Sequence, residues 1–172
     1  MFIDRRAVLA GATAASLLAP IAPARAIVPE RYRDPVRQLM AMTWIGLSKT
    51  KAEAFSGGEF VTALMMKFQL NDDFSFTGAM LEYMKLENRE YQGRFTISGE
   101  AWVIGSDVGM SIYRMQFLRG DPPPPPLAWG TSKGDFRFYN DSNRPGHFTM
   151  QGIMTDDRDG TQFRVIMNDN ND

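Results

Sequence analysis

Between Tyr91 and Val103 the chain alternates with period two. Tyr91, Gly93, Phe95, Ile97, Gly99, Ala101 and Val103 are apolar or small, and Gln92, Arg94, Thr96, Ser98 and Glu100 are polar. Successive side chains of a strand point to opposite faces, so this run can bury one face only as a strand; wound as a helix, it would scatter its apolar groups around the axis. The same period recurs in Phe60, Leu64, Met66, Phe68 and Leu70, with Thr62 among them, and in Phe74, Phe76, Gly78 and Met80. It returns over Val108–Leu118, in a short run from Asp135 to Tyr139, in Phe148, Met150, Gly152 and Met154, and over Gln162–Met167. Turn residues separate these runs at Asn71-Asp72-Asp73, Asn88, Gly105-Ser106-Asp107 and Asp156–Gly160. Many strands with one apolar face and tight connections predict an all-β domain: an antiparallel up-and-down barrel of seven or eight strands, with a two-layer sandwich as the alternative. Glycines at 78, 93, 99 and 152 fall on the apolar faces, where they relieve crowding as a sheet curves.

Asp34-Pro35 opens a different pattern. Proline at a first helical position, with Val36, Leu39 and Met40 on one face, predicts a short helix packed on the sheet, an extended arm being the alternative. Residues 27–43 therefore form a helix or arm, residues 44–167 the barrel, and residues 168–172 a polar tail.

The first 26 residues read as a cleaved signal peptide. Arg5-Arg6 heads a short Ala-rich apolar stretch that ends at the small-x-small site Ala24-Arg25-Ala26. The string Asp4-Arg5-Arg6-Ala7-Val8-Leu9-Ala10 resembles the twin-arginine export signal. That resemblance implies passage of the folded protein through the twin-arginine translocase and residence in the periplasm or outside the cell. An ordinary secretory signal is the alternative. The apolar stretch is shorter than the ~20 residues a spanning helix needs, so no stable membrane anchor is expected. Cleavage after Ala26 takes 26 residues from 172 and leaves 146, enough for one core. Subtracting Arg5, Arg6 and Arg25 from 19 basic residues, and Asp4 from 20 acidic ones, leaves a net charge of −3. No basic cluster remains for a nucleic acid. There is no cysteine, which excludes a thiolate metal site, a cysteine nucleophile and any disulfide.

Trp44-x-Gly46 at the first strand, followed by an up-and-down meander, resembles the lipocalin and avidin-like barrels, the calycins. The resemblance implies a barrel that holds a ligand, and it carries over no site residue.

Candidate chemistry is sparse. Glu82 shares a strand face with Met80 and Met84, and Arg114 shares one with Met110 and Ile112. Facing inward, each would need a partner or a polar ligand group; the plainer reading leaves both at strand ends open to water. Glu82, Arg114, Trp102 and Trp129 are the ligand-binding candidates. The five prolines Pro122–Pro126, followed by Trp129, form either a stiff lid over a barrel mouth, a spacer, or a segment that docks in a partner's aromatic groove. The partner-binding candidates are Pro122, Pro124, Pro126 and Trp129. His147 is the only histidine, and no nucleophile elbow accompanies it. A Cu(I) site would have to be built from His147 and methionines such as Met150, yet the methionines already occupy positions the apolar pattern demands. No cofactor is predicted, and neither paired carboxylates nor a nucleophile–base pair supports catalysis. The expected function is binding of a small apolar or amphipathic ligand inside a barrel. The alternative is an interaction protein, an inhibitor or accessory subunit of a periplasmic or secreted enzyme.

Overall fold

The computed structural model describes residues 28–51, 59–86, 88–125 and 127–170. Arg5, Arg6, Ala24 and Ala26, expected to belong to an export signal and its cleavage site, and Pro126 of the proline run, lie outside the described residues.

Eight antiparallel strands close into a barrel in sequence order: β1 (Thr43–Lys51), β2 (Glu59–Leu70), β3 (Ser75–Leu86), β4 (Arg89–Ile104), β5 (Asp107–Gly120), β6 (Ser132–Asn140), β7 (Phe148–Asp156) and β8 (Gln162–Asp169). The seam pairs β1 with β8, Trp44 standing opposite Asp169 and Gly46 opposite Met167. This is the up-and-down barrel that the alternation predicts, and it discards the sandwich. The predicted polar tail begins two residues late: Asn168 and Asp169 belong to β8, and Asp169 is buried. Closure of the barrel is the reason, because β1 supplies the pairing that a free tail would lack.

The inner faces interdigitate into one core. Trp44, Phe76, Phe95, Phe136, Met66, Met80, Ile97, Met110, Ile112, Met150 and Met167 are all fully buried there. The methionines serve as adaptable filler among the rings. At the β1–β8 seam Gly46 is required sterically: a Cβ there would stand 2.0 Å from the carbonyl oxygen of Ile166.

A 3-10 turn (Glu30–Tyr32) leads into helix α1 (Arg33–Ala41), which buries Val36, Leu39 and Met40. These segments cross one end of the barrel. Tyr32 Oη donates to the Gly105 carbonyl in the β4–β5 turn, Arg37 reaches Asp72 in the β2–β3 turn, and Arg33 and Arg37 lie over the Phe74 ring. Trp44 Nε1 donates to the Leu39 carbonyl at 3.2 Å, fixing the helix to the first strand. We call this the helix end. The opposite end carries the β5–β6 connection with its prolines.

Candidate functional site

The proline end holds the polar inner face. Ser48, Thr62 and Glu82 come from β1, β2 and β3, positions that face the lumen by strand alternation; Thr62 pairs across strands with Ser48, and Glu82 pairs with Leu64 and Gly93. Ser48 and Thr62 are buried. Thr62 Oγ1 donates to Glu82 Oε1 at 3.0 Å. Burial raises the Glu82 carboxyl to about pKa 7, with the Thr62 hydroxyl pulling weakly the other way. Glu82 is nevertheless only half-buried by its own surface. The two facts agree for a group set inside a recess: protein surrounds it on most sides, and water still reaches it.

The proline loop covers this recess. Asp121 N donates to the Gln92 carbonyl, and Trp129 Nε1 donates back to the Asp121 carbonyl at 2.7 Å, closing the loop on itself. The indole lies over Gly93, where a Cβ would come within 2.9 Å of the ring. It packs edge-on against Phe95 at 5.9 Å between centroids and stacks with Phe117 at 6.5 Å. Gly93 is the cross-strand neighbour of Glu82, so the indole and the carboxyl share one mouth. A latch from the β7–β8 turn holds the far side of the loop. Arg158 grips the buried Asp156 through Nε (3.1 Å) and Nη2 (2.7 Å), and also reaches the Ala128 carbonyl. Asp157 N donates to the Thr131 carbonyl. The guanidinium hydrogen bonds hold the Asp156 carboxyl below the usual carboxylate range. Pro123 is buried under the loop, whereas Pro122 and Pro124 are exposed.

Of the ligand-binding candidates, Glu82 and Trp129 meet at this mouth; the other two do not. Arg114 was expected to share a face with Met110 and Ile112, but it sits on the outer wall. A β-bulge after Ile112 shifts the register: Gly99 pairs with Ile112, and Ser98 already pairs with Arg114. The extra residue, Tyr113, moves Arg114 to the polar face. There it lines a shallow outer groove of about 590 Å³ with Lys67, Thr77, Thr96 and Gln116. Trp102 is also outside. Its ring covers Gly109, and its Nε1 donates to Ser111 Oγ at 3.1 Å, which in turn donates to Asp135. Its even number sets it opposite the inward odd positions of β4.

Glu82 faces the lumen four residues before the end of β3, half-buried, with Leu64 and Gly93 beside it on the neighbouring strands. His147 lies at the helix end, with Nδ1 3.1 Å from the buried Asp169 Oδ1. This is the arrangement of a base with an orienting carboxylate, but among the described residues no serine or threonine hydroxyl bonds to the ring. Met150 is fully buried opposite Met167 and Phe138. Among the described residues no cluster of three histidine or acidic groups is arranged to hold a metal, and no helix is long and apolar enough to cross a membrane.

Compared with protein-family models, with curated proteins and with solved structures, the chain matches none of them. The site therefore stands on its own geometry. Sequence reasoning missed Thr62, Phe117 and Arg158 as members of it. Thr62 carried a signal, a hydroxyl interrupting an otherwise apolar strand face. Arg158 carried none, since its partner Ala128 lies 30 residues away.

Proposed function

We propose that this protein is an exported barrel that binds a small apolar or amphipathic molecule at the proline end of its lumen. The apolar part would lie against Phe95, Phe117 and Trp129, and a polar group would meet Glu82. The observation that carries this reading is Glu82 itself: an ionisable carboxyl inside the mouth of an apolar barrel, with a single hydroxyl as partner. A recess lined by apolar and aromatic side chains, with few polar groups, is the usual form of a small-molecule site. The periplasm, or the medium beyond it, is the proposed location, reached through the twin-arginine translocase. Replacing Arg5 and Arg6 together by lysine tests that route: export is expected to stop, and continued export would refute it.

Native mass spectrometry of the protein purified from its own compartment tests the binding. The expected result is added small-molecule mass that is lost on denaturation and absent from Trp129→Ala. A bare chain, or added mass indifferent to Trp129, would count against the mouth as the site.

One observation favours a second reading, an inhibitor or accessory subunit docking through the loop. Pro122 and Pro124 are exposed, and Leu118 beside them is 53% exposed. In the same spectrum that reading requires the mass of a second chain, lost when Pro122 and Pro124 are replaced.

A further inference from the structure

We infer that the group recognised by Glu82 is a cation, an ammonium-type head on a small apolar body. This rests on the reading of the proline-end mouth as the binding site and adds the charge of its occupant.

Among the described residues, the charged groups directed into the lumen are Glu82, Asp156 and Asp169, all of them acids. Two are already answered, Asp156 by Arg158 and Asp169 by His147. Glu82 has only the Thr62 hydroxyl. A carboxylate accepts at about four lone-pair positions, so most of its capacity is open. No described lysine or arginine points into the lumen. Arg89, on the inward side of the rim, is exposed, and its guanidinium lies over the Tyr91 ring at 5.0 Å. It stands four residues along β4 from Gly93, the partner of Glu82, roughly 13 Å away at strand rise.

The neighbours of Glu82 add no counter-charge. From β2 come Thr62 and Leu64, from β4 Gly93 with Tyr91 beyond it, from β3 Met80 and Met84, and from the loop Trp129. The aromatic members are already engaged, Tyr91 under the Arg89 guanidinium and Trp129 stacked on Phe117, so they offer apolar surface for the body of the ligand. An anionic head would meet like charge with no basic group to offset it. A neutral head would leave the carboxyl either ionised without a counter-charge or protonated. A cation supplies the missing charge and a charge-assisted hydrogen bond at once. The carboxyl must be ionised to attract it, so affinity should rise as pH passes upward through neutrality.

The experiment titrates the purified protein with three eight-carbon probes below micelle formation: octylammonium, octanoate and octyl glucoside. Tryptophan fluorescence and calorimetry report binding at pH 5.5 and pH 8. The expected result is that octylammonium binds at pH 8 about tenfold or more tightly than either other probe. That advantage should shrink at pH 5.5 and disappear in Glu82→Gln. Binding of the three probes with equal affinity, or octanoate or the glucoside ahead, in a manner lost in Trp129→Ala, would overturn the cation while leaving the mouth as a site. Binding of no probe, or binding indifferent to both substitutions, would overturn the mouth and the cation together.

Discussion

Replacing Glu82 by glutamine isolates the energetic consequence of placing a carboxyl in this lumen. In the folded protein the acid titrates near 7, against 4.5 for the same group in water. The folded state therefore holds the proton more tightly than the unfolded chain does. Stability from this group is fully present below about pH 4.5 and is lost progressively as pH rises to about 7, above which the folded state carries the cost of a desolvated carboxylate. The interval is two and a half pH units, and at about 1.4 kcal/mol per unit it amounts to about 3 kcal/mol. Glutamine has nearly the same shape, carries no charge at any pH, and keeps a carbonyl to accept the Thr62 hydroxyl. Glu82→Gln should accordingly match the parent at pH 4.5 and exceed it by up to about 3 kcal/mol at pH 8. In urea, where a domain of this size loses roughly 1–3 kcal/mol per molar, the midpoint at pH 8 should rise by about 1–3 M. Urea unfolding at pH 4.5, 6, 7 and 8 on both proteins reads this directly. Parallel pH profiles, or a glutamine variant less stable at pH 8, would show that Glu82 is ionised comfortably in the fold and would remove the basis for a charge-seeking recess.

Trp44→Ala removes the ring that joins α1 to β1 together with its hydrogen bond to Leu39, and should cost about 3–5 kcal/mol of unfolding free energy. A loss under 1 kcal/mol would mean that the helix end is loosely packed. Gly46→Ala drives a Cβ into the Ile166 backbone at the β1–β8 seam and should cost at least the ~1–3 kcal/mol typical of overpacking; a near-ultraviolet dichroism spectrum and melting point equal to the parent's would contradict closure at that seam. Arg158→Ala should loosen the proline loop more than the barrel. About 1 kcal/mol of global stability is expected to go, because the guanidinium is half exposed, while amide exchange around Trp129 should quicken at least tenfold. The Asp156–Arg158 pair stabilises the fold above the ordinary carboxylate range and loses that contribution as pH falls through the depressed value, so acid should release the same loop.

The strands were legible because alternation is a property of the backbone itself, and seven runs with one apolar face leave few ways to bury it. The helix was legible from the spacing of Val36, Leu39 and Met40, since periodicity is local; its start was not, because α1 begins at Arg33, two residues ahead of Pro35, with no side-chain cap. Arg114 was misplaced because period-two reasoning carried Met110 and Ile112 straight on to position 114. The apolar positions in fact change parity, from Met110 and Ile112 to Met115 and Phe117, and that change is the signature of the bulge. Trp102 was misplaced by residue type: an aromatic group on the even, polar face of β4 needed an outer neighbour, and Gly109 provides it. The loop latch was not legible, because Arg158 and Ala128 meet only through the register of β6 against β7, which sets Ser132 opposite Asp156.

The two ends of this barrel differ in the chemistry of their inner faces and not in their strands. At the helix end, the tryptophan of β1 and three residues of α1 complete an apolar plug, and the acid there, Asp169, is matched by His147. At the proline end, three successive strands place a serine, a threonine and a glutamate where the pattern elsewhere has leucine, methionine or phenylalanine. Either of the first two can bond within the fold, so their cost is small. The glutamate is different, since an apolar residue of similar volume at position 82 would continue the Met80–Met84 face and remove about 3 kcal/mol of penalty at neutral pH. A carboxyl retained at that cost, beside a rigid indole lid and with no cation of its own, has a physical role if something from outside brings the opposite charge. Stability against pH and affinity against pH should then mirror each other: the ionisation that weakens the empty barrel is the one that strengthens the loaded one.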